Sequence, residues 1–598
     1  MGWSVDLDWT APKHPPTATW DGARRGWVAF DGYIANHAEV AAALGIEGPI
    51  PGDETLAAEA LARWGEGAPC RLAGAFALAS WDERRRALLA AADPLGVKSV
   101  VYQARGSRLG LATSTRELRR LSWIDAGVDD QAVALFLCGG HLASDTTYYR
   151  NLRRLPAGHL LRATGSRLDT RMDWGPPFDV PAGIRTTADL LERFRELFVQ
   201  VVAESLPIDR PGVVLLSGGF DSTSVAYAAA EAIRRSGGRL ASPTLHSWAF
   251  PGLACDESER VRIAQAGLDF DATLRPGSMA ALTAEQMSHS AAVHDGPYLN
   301  LQQALFDEFA GSYGDRSRAV TLTGLGGDEL CVDWHFEVDL LRRSGILGWI
   351  PALRTIARMD GVSTRRALAT VAGRFGWQSP RTIWRRVAPR ARAADERPEA
   401  WCRPEVKRLA SKAGRGDRHG KAPDWPTHSG KVRWQVTSAA ATYEARRWWD
   451  LELTSGGLAL RAPFLDRRLW ELVLGADALL PRSFDEGRYK PLISHGLASL
   501  VPSRLTSTYW KVVFDQYEHG ILERTLPALR ECLLSSGEWR AAAFIRREKA
   551  RELLISTEAA LTGNPSCRMD TSLLLRVAGL EIWLRHQHRK HPSSAKSA

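Results

Sequence analysis

Val213-Val-Leu-Leu-Ser-Gly-Gly-Phe-Asp-Ser-Thr-Ser-Val-Ala226 is the stretch from which the fold can be read. Val213 to Leu216 is an unbroken apolar run, which suits a parallel strand covered on both faces. Ser217-Gly218-Gly219 reads as a tight turn, and Ser222 onward reads as a helix. A turn of this kind leaves backbone N–H groups unpaired at a helix N-terminus, where an anion can bind. Gly218 and Gly219 let a phosphate approach the backbone closely. Ser217 and Ser222 can add hydroxyl donors, and Asp221 can hold a metal beside the phosphates. No Gly-Lys-Ser/Thr follows, so the turn is not a Walker loop, and the dinucleotide Gly-x-Gly-x-x-Gly is absent as well.

The loop resembles the Ser-Gly-Gly-x-Asp-Ser loop of the N-type ATP pyrophosphatases. Those enzymes split ATP between its α and β phosphates and place AMP on a substrate. The resemblance implies a Rossmann-like parallel sheet, ATP and Mg²⁺ as cofactors, and nucleotide contacts from Leu216, Ser217, Gly218, Gly219, Asp221 and Ser222.

Composition bounds the rest. At 598 residues, 45% hydrophobic and 24% charged, the chain has the make-up of a soluble protein with two or more domains. No apolar run is long enough to span a membrane, and Met1-Gly-Trp-Ser-Val-Asp-Leu-Asp is not a signal peptide. The seven cysteines are odd in number, scattered and without metal-ligand spacing, which fits a reducing cytoplasm. A net charge of +9 is arginine-rich but comes with no nucleic-acid motif, so no nucleic-acid partner is expected. Tryptophan, with 22 copies against 17 Phe and 11 Tyr, is unusually abundant; Trp beside Arg is a composition of peptide-binding surfaces.

Residues 1–180 read as a β-rich domain. Trp27-Val-Ala-Phe-Asp-Gly-Tyr-Ile34, Leu72-Ala-Gly-Ala-Phe-Ala-Leu-Ala-Ser-Trp81, Ala87 to Tyr102, Leu111 to Leu118 and Leu152 to Leu161 are its strand-and-turn segments. Together they resemble the glutamine amidotransferase domain of the asparagine synthetases, which implies an αββα sandwich. The sandwich is degenerate here. The family's nucleophile is an N-terminal cysteine, whereas position 2 is Gly2 and the first cysteine is Cys70. The family's Asn-Gly-Glu is Asp31-Gly32-Tyr33, and the Arg before Asp93 is Ala92. The domain is therefore expected to be an inert scaffold.

A Pro-rich joint, Trp174 to Pro181, separates it from residues 186–598. Thr187 to Glu204 carries apolar residues at helical spacing. Thr244-Leu-His-Ser-Trp-Ala-Phe250 is the next strand, and the resemblance nominates Ser247 and Trp248 for the adenine pocket. Ala319-Val-Thr-Leu-Thr-Gly-Leu-Gly-Gly-Asp-Glu-Leu330 is a strand with a second Gly-rich turn. It resembles the synthetases' Ser-Gly-Glu-Gly-x-Asp-Glu; Thr323 and Gly324 would meet the nucleotide, and Asp328 would join Asp221 on Mg²⁺. Residues 335 to about 445 read as a Trp/Arg-rich insertion, and nine tryptophans lie from Trp334 to Trp449, in and beside it. The pattern returns at Leu460-Arg-Ala-Pro-Phe-Leu-Asp466 and at Gly487-Arg-Tyr-Lys490. Lys490 is the expected catalytic cation, on the α-phosphate and the developing oxyanion, with Lys511 as its competitor. Arg585 to Ala598 reads as a disordered tail.

An intact nucleotide half beside a degenerate ammonia-producing half implies adenylation of a carboxylate and an amine from elsewhere. β-Lactam synthetases and lasso-peptide macrolactam cyclases share this profile. Leu325 stands where asparagine synthetases often carry Glu and β-lactam synthetases Tyr, which argues against both. The expectation is a lasso-type cyclase, closing a core peptide through an Asp or Glu side chain and its N-terminal amine. Its partners would be that peptide, a leader-binding protein and a leader peptidase. A small-molecule amide ligase and an ATP- or peptide-binding pseudo-enzyme are the alternatives.

Overall fold

Along Gly74–Asp82 the side chains alternate between two cores: Phe76 and Leu78 face one, Ala77, Ala79 and Trp81 the other. A strand buried on both faces must be covered by a layer on each side. The computed structural model supplies both layers. It describes residues 4–8, 26–314 (without 166 and 177), 319–340 (without 336), 350, 353–354, 356–357, 363–368, 402–413, 425–481, 490–506, 514–561 (without 536) and 571–590.

The N-terminal strands are β1 (Ser4–Asp8), β2 (Gly26–Ile34), β3 (Gly74–Asp82), β4 (Ala87–Ala92), β5 (Val100–Arg105), β6 (Arg108–Ala112), β7 (Arg153–Leu155), β8 (His159–Thr164) and β9 (Arg167–Met172). They form two antiparallel sheets, β2-β3-β4-β8-β9 and β1-β6-β5-β7. Between the sheets lie Leu7, Trp27, Trp81, Leu111 and Leu161. The helices His37–Leu44 and Asp53–Trp64 cover the outer face of the first sheet through Val40, Leu56 and Ala60, and Asp130–Leu137 lies beyond the second. This is a helix–sheet–sheet–helix sandwich.

The C-terminal sheet has β10 (Gly212–Leu215), β11 (Thr244–Ala249), β12 (Ala272–Pro276), β13 (Val320–Leu322) and β14 (Ala459–Arg461). All pairings are parallel, in the order β12-β11-β10-β13-β14. The order reverses between β10 and β13, and their carboxyl ends open a crevice, the usual ligand position in such sheets. Thr187–Ser205 packs beneath, with Leu190, Phe194, Phe198 and Val201 buried and a Thr186/Asp189 capping box at its start. A cap of this kind contributes about 1 kcal/mol.

The Pro-rich joint is held by packing. Trp174 is buried, donates to Glu471 at 2.9 Å and meets Phe178 and Trp434 with tilted rings, while those two meet edge to face. The tail expectation needs correcting for Arg585 to Lys590, because Thr571–Lys590 is one helix and Arg585 pairs with Glu581 at 2.6 Å; residues 591–598 lie outside the described residues. Most of the Trp/Arg-rich insertion, and Lys511, lie outside the described residues. No helix among the described residues is long and apolar enough to cross a membrane.

Candidate active site

β10 delivers the first loop to the crevice. Gly218 sits at φ +80°, and a Cβ there would come within 3.0 Å of Arg260 Cβ. Arg260 holds this turn in place, donating from Nε to Gly218 O at 3.0 Å and from Nη2 to Leu505 O at 2.9 Å. Ser222 Oγ accepts from Ser217 N at 3.1 Å and lies 3.0 Å from Ser217 Oγ, while Gly219 N reaches Ser217 Oγ at 3.3 Å. The loop is thus closed on itself, and the helix Phe220–Arg235 starts with Gly219 as its cap. Its first-turn N–H groups supply the partial positive charge that a phosphate needs.

β13 brings the second turn alongside. Gly326, at φ +92°, caps the short helix Gly327–Cys331 that carries Asp328. A Cβ on Gly324 would lie 2.6 Å from Asp221 Cβ and 2.7 Å from Ser222 N, so the two turns touch backbone to backbone. This close approach is why residue 324 must lack a side chain.

Lys490, at the start of the helix Pro491–Gly496, joins the turns. Its Nζ lies 2.7 and 2.6 Å from the two oxygens of Asp221 and 2.7 Å from Asp328 Oδ1. The lysine is 3% exposed, Asp221 20% and Asp328 64%. Burial alone would lower the Lys490 pKa, but Asp221 and Asp328 hold it above its ordinary value, so it remains an ammonium. Burial pushes Asp221 up to about 6 against the pull of Lys490.

A cavity of about 720 Å³ runs from this loop into the helical C-terminal part. Leu216, Ser217, Gly219, Asp221, Ser222, Trp248, Thr323 and Gly324 lie on its wall. Gly218 is in the turn behind, and Lys490 and Asp328 adjoin through Asp221. Ser247 faces the other side of β11, 1% exposed and without a hydrogen-bond partner for its hydroxyl among the described residues. Residues not foreseen on the wall are His246, Glu257, Asn300, Trp448, Trp449 and Glu518. Burial, aided by Arg275, pulls the His246 pKa down to about 4, leaving a neutral imidazole.

The wall at Trp448 and Trp449 belongs to the helix Ala440–Ser455, which also faces the N-terminal domain. Tyr443 OH lies 3.1 Å from Ser99 Oγ, Arg446 donates to Leu95 O at 2.8 Å, and Asp450 pairs with Lys98 at 2.8 Å. On the opposite side Glu452 meets His294 at 2.8 Å and Asn300 at 3.0 Å. In the N-terminal domain, Asp31 is drawn to Lys98 at 3.7 Å. Asp93 accepts N–H bonds from Leu95, Val97 and Lys98 at 3.1, 3.1 and 2.7 Å. Burial raises the pKa of the Cys70 thiol, the reverse of what an activated nucleophile requires.

A family model described as asparagine synthase matches residues 193–585, well over half of the sequence. The chain belongs to the asparagine synthase family. A second model, a glutamine amidotransferase domain, matches residues 7–174 of this asparagine synthase relative. Amidase chry2 of Gibberella zeae is 29% identical over 183 residues, 29% of this chain and 26% of that protein. Asparagine synthetase (glutamine-hydrolyzing) 3 of Bacillus subtilis is 29% identical over 177 residues, 29% of this chain and 28% of that protein. The matches therefore span little more than a quarter of either relative's length. Among solved structures, the allosteric regulatory enzyme of purine biosynthesis is 12% identical over 45% of this chain and 64% of that chain, with a TM-score of 0.21. At that score the likeness carries no argument about the fold.

Proposed function

We propose that this chain is an ATP-dependent amide ligase that forms an acyl-adenylate and releases AMP and pyrophosphate. The observation that carries the reading is the meeting of three groups, Asp221, Asp328 and Lys490, at the switch point of a parallel sheet beside an anion-binding turn. Two carboxylates converging on one point, one of them exposed, form a donor set that fits Mg²⁺, which takes one or two carboxylates and completes its shell with water and phosphate oxygens. When bound, the ion supplies charge neutralisation on the pyrophosphate.

The chain's own groups do the rest. The turn at Ser217–Gly219 and the helix behind it hold the phosphates. Lys490, released from its carboxylates as the nucleotide enters, puts a fixed positive charge at the α-phosphate and the developing oxyanion. The substrate's carboxylate oxygen attacks the α-phosphorus and pyrophosphate leaves. An amine then attacks the acyl carbon, AMP leaves, and one proton is lost from the nitrogen.

In its finer form we read the substrate as a leader-free core peptide closed into a macrolactam, with a leader-binding protein and a peptidase acting earlier. Support comes from the aromatic wall and from Leu325, which offers no polar side chain to a weak nucleophile. An α-amine, with a pKa of roughly 7.7–8.0, needs less help once held close. A second reading, a small-molecule amide ligase, draws on the asparagine synthetase relative. A core peptide from the same locus, supplied with ATP and Mg²⁺, should lose one water and yield AMP. Conversion of aspartate and ammonia to asparagine, with no peptide dehydrated, would assign the enzyme to the small-molecule branch.

A further inference from the structure

The wall of the cavity changes character along its length. At the nucleotide end it is made by the two Gly-rich turns. Farther in, Trp248, Phe250, Leu299, Trp448, Phe514 and Leu575 make it apolar and aromatic. The charged side chains on the wall are Asp221, Glu257 and Glu518, and among the described residues no Lys or Arg lines it. The nearby cations have partners already: Lys490 has Asp221 and Asp328, Arg260 donates to Gly218 O and Leu505 O beside Glu257, and Arg275 reaches Ser312 and Glu308.

We infer that the cavity receives an apolar acceptor carrying a cationic amine, with Glu257 and Glu518 as the groups that select it. This rests on the ligase reading and names the chemistry of the acceptor. A substrate with a second, free carboxylate, such as aspartate, would bring a negative charge to a wall of carboxylates and find no described Lys or Arg on it. An unpaired buried charge of that kind is costly. An ammonium would meet the opposite sign, and its carbon skeleton would lie against indole and leucine.

A separate feature also points to a ligand here. His246 is 0% exposed and stands on the same wall, with its Nε2 unpartnered among the described residues. The Trp248 Nε1 is likewise unpartnered. Buried polar atoms of this kind normally find partners, and a ligand in the cavity is positioned to provide them. Both glutamates are also strained as anions. Burial pushes Glu257 up to about 7 against Arg260, and burial with Asp515 raises Glu518 despite its bond to Gln302. A cation beside them relieves that strain.

The test is binding to the full chain, read by intrinsic tryptophan fluorescence and isothermal titration. The probes are Leu-Phe-amide, phenethylamine, N-acetyl-Leu-Phe-amide and aspartate, each with and without ATP and Mg²⁺. The amine probes should bind at least tenfold tighter than the acetylated peptide, and aspartate weakest. Glu518→Gln and Glu257→Gln should erase the preference for the amine and leave the acetylated probe unchanged. Trp448→Leu should weaken amine and acetylated probes alike. A gain of the dipeptide over phenethylamine would identify a peptide as the source of the amine, and equal binding a small molecule. Equal binding of free and acetylated peptides, tighter binding of aspartate, or no binding of either amine overturns the inference. ATP–pyrophosphate exchange is scored separately. Exchange driven by aspartate alone would keep the ligase and sink the acceptor assignment, whereas selective amine binding with no AMP formed would do the reverse.

Discussion

Lys98 and Lys490 are each held between two aspartates, and the two triads serve different ends. Lys98 lies between Asp31 and Asp450 at 3.7 and 2.8 Å, with the three side chains 11%, 13% and 10% exposed. Lys490 lies between Asp221 and Asp328 at 2.6 and 2.7 Å, but there Asp328 is 64% exposed. The first triad is sealed, so its charges can do nothing but hold one domain to the other. The second opens on solvent and on the cavity, and in the function proposed above its partners are exchanged for phosphate and metal. Identical charges hold or react according to whether a path leads to them.

The comparison breaks most decisively at Lys490. Lys490→Ala and Asp221→Asn should each lower AMP formation by at least about a hundredfold, the effect of removing a preorganised electrostatic group. The assay is chromatographic separation of AMP and pyrophosphate, with circular dichroism to show that the variants fold. Turnover within about tenfold of wild type would remove that residue from the site.

Lys98→Met should act on stability instead. It strands two buried carboxylates, which costs about 3–5 kcal/mol. Urea unfolding should record the loss, and Lys490→Met should cost less because Asp328 reaches water. An equal or larger loss at Lys490 would erase the distinction between sealed and open triads.

Acidity gives a third test. Asp221 and Asp93 are both held up to about 6 by burial, whereas unfolded carboxylates titrate near about 4. Between those values these two groups bind more protons in the folded chain than in the unfolded chain, so their share of the stability of the nucleotide-free protein should fall as pH rises from about 4 to about 6. Asp221→Asn should flatten its share of that slope in urea midpoints taken across the window. A slope left unchanged by Asp221→Asn would contradict the burial argument.

The smallest expected effect is none. Glutamine should yield no glutamate and no stimulation, because Asp31 and Asp93 are engaged within the fold and Cys70 is not activated. Glutamate above a heat-killed control would reopen the domain as a glutaminase.

What could be read from residue order was local. Ser217 to Ser222 and Thr323 to Asp328 are strand–turn–helix punctuation, complete within a dozen residues, and Lys490 followed from a family pattern. The inner wall could not be read, because Trp448, Phe514, Glu518 and Leu575 meet only through tertiary packing. The phase of β11 was hidden as well. A strand covered on both faces shows no alternation, so nothing in Thr244 to Ala249 says that His246 and Trp248, rather than Ser247, face the cavity. β14 is three residues long, too short for any period. The density of charge after Arg585 concealed a helix that Glu581 and Arg585 help to close.

The helix Ala440–Ser455 sets where this chain can be cut. Its Tyr443, Arg446 and Asp450 rest on Ser99, Leu95 and Lys98, while Trp448 and Trp449 shape the cavity. A truncation at the Pro-rich joint would follow the apparent domain border and still remove the residues on which this cavity-lining helix rests. A transplanted C-terminal half would therefore have to carry the ledge from Leu95 to Ser99 with it.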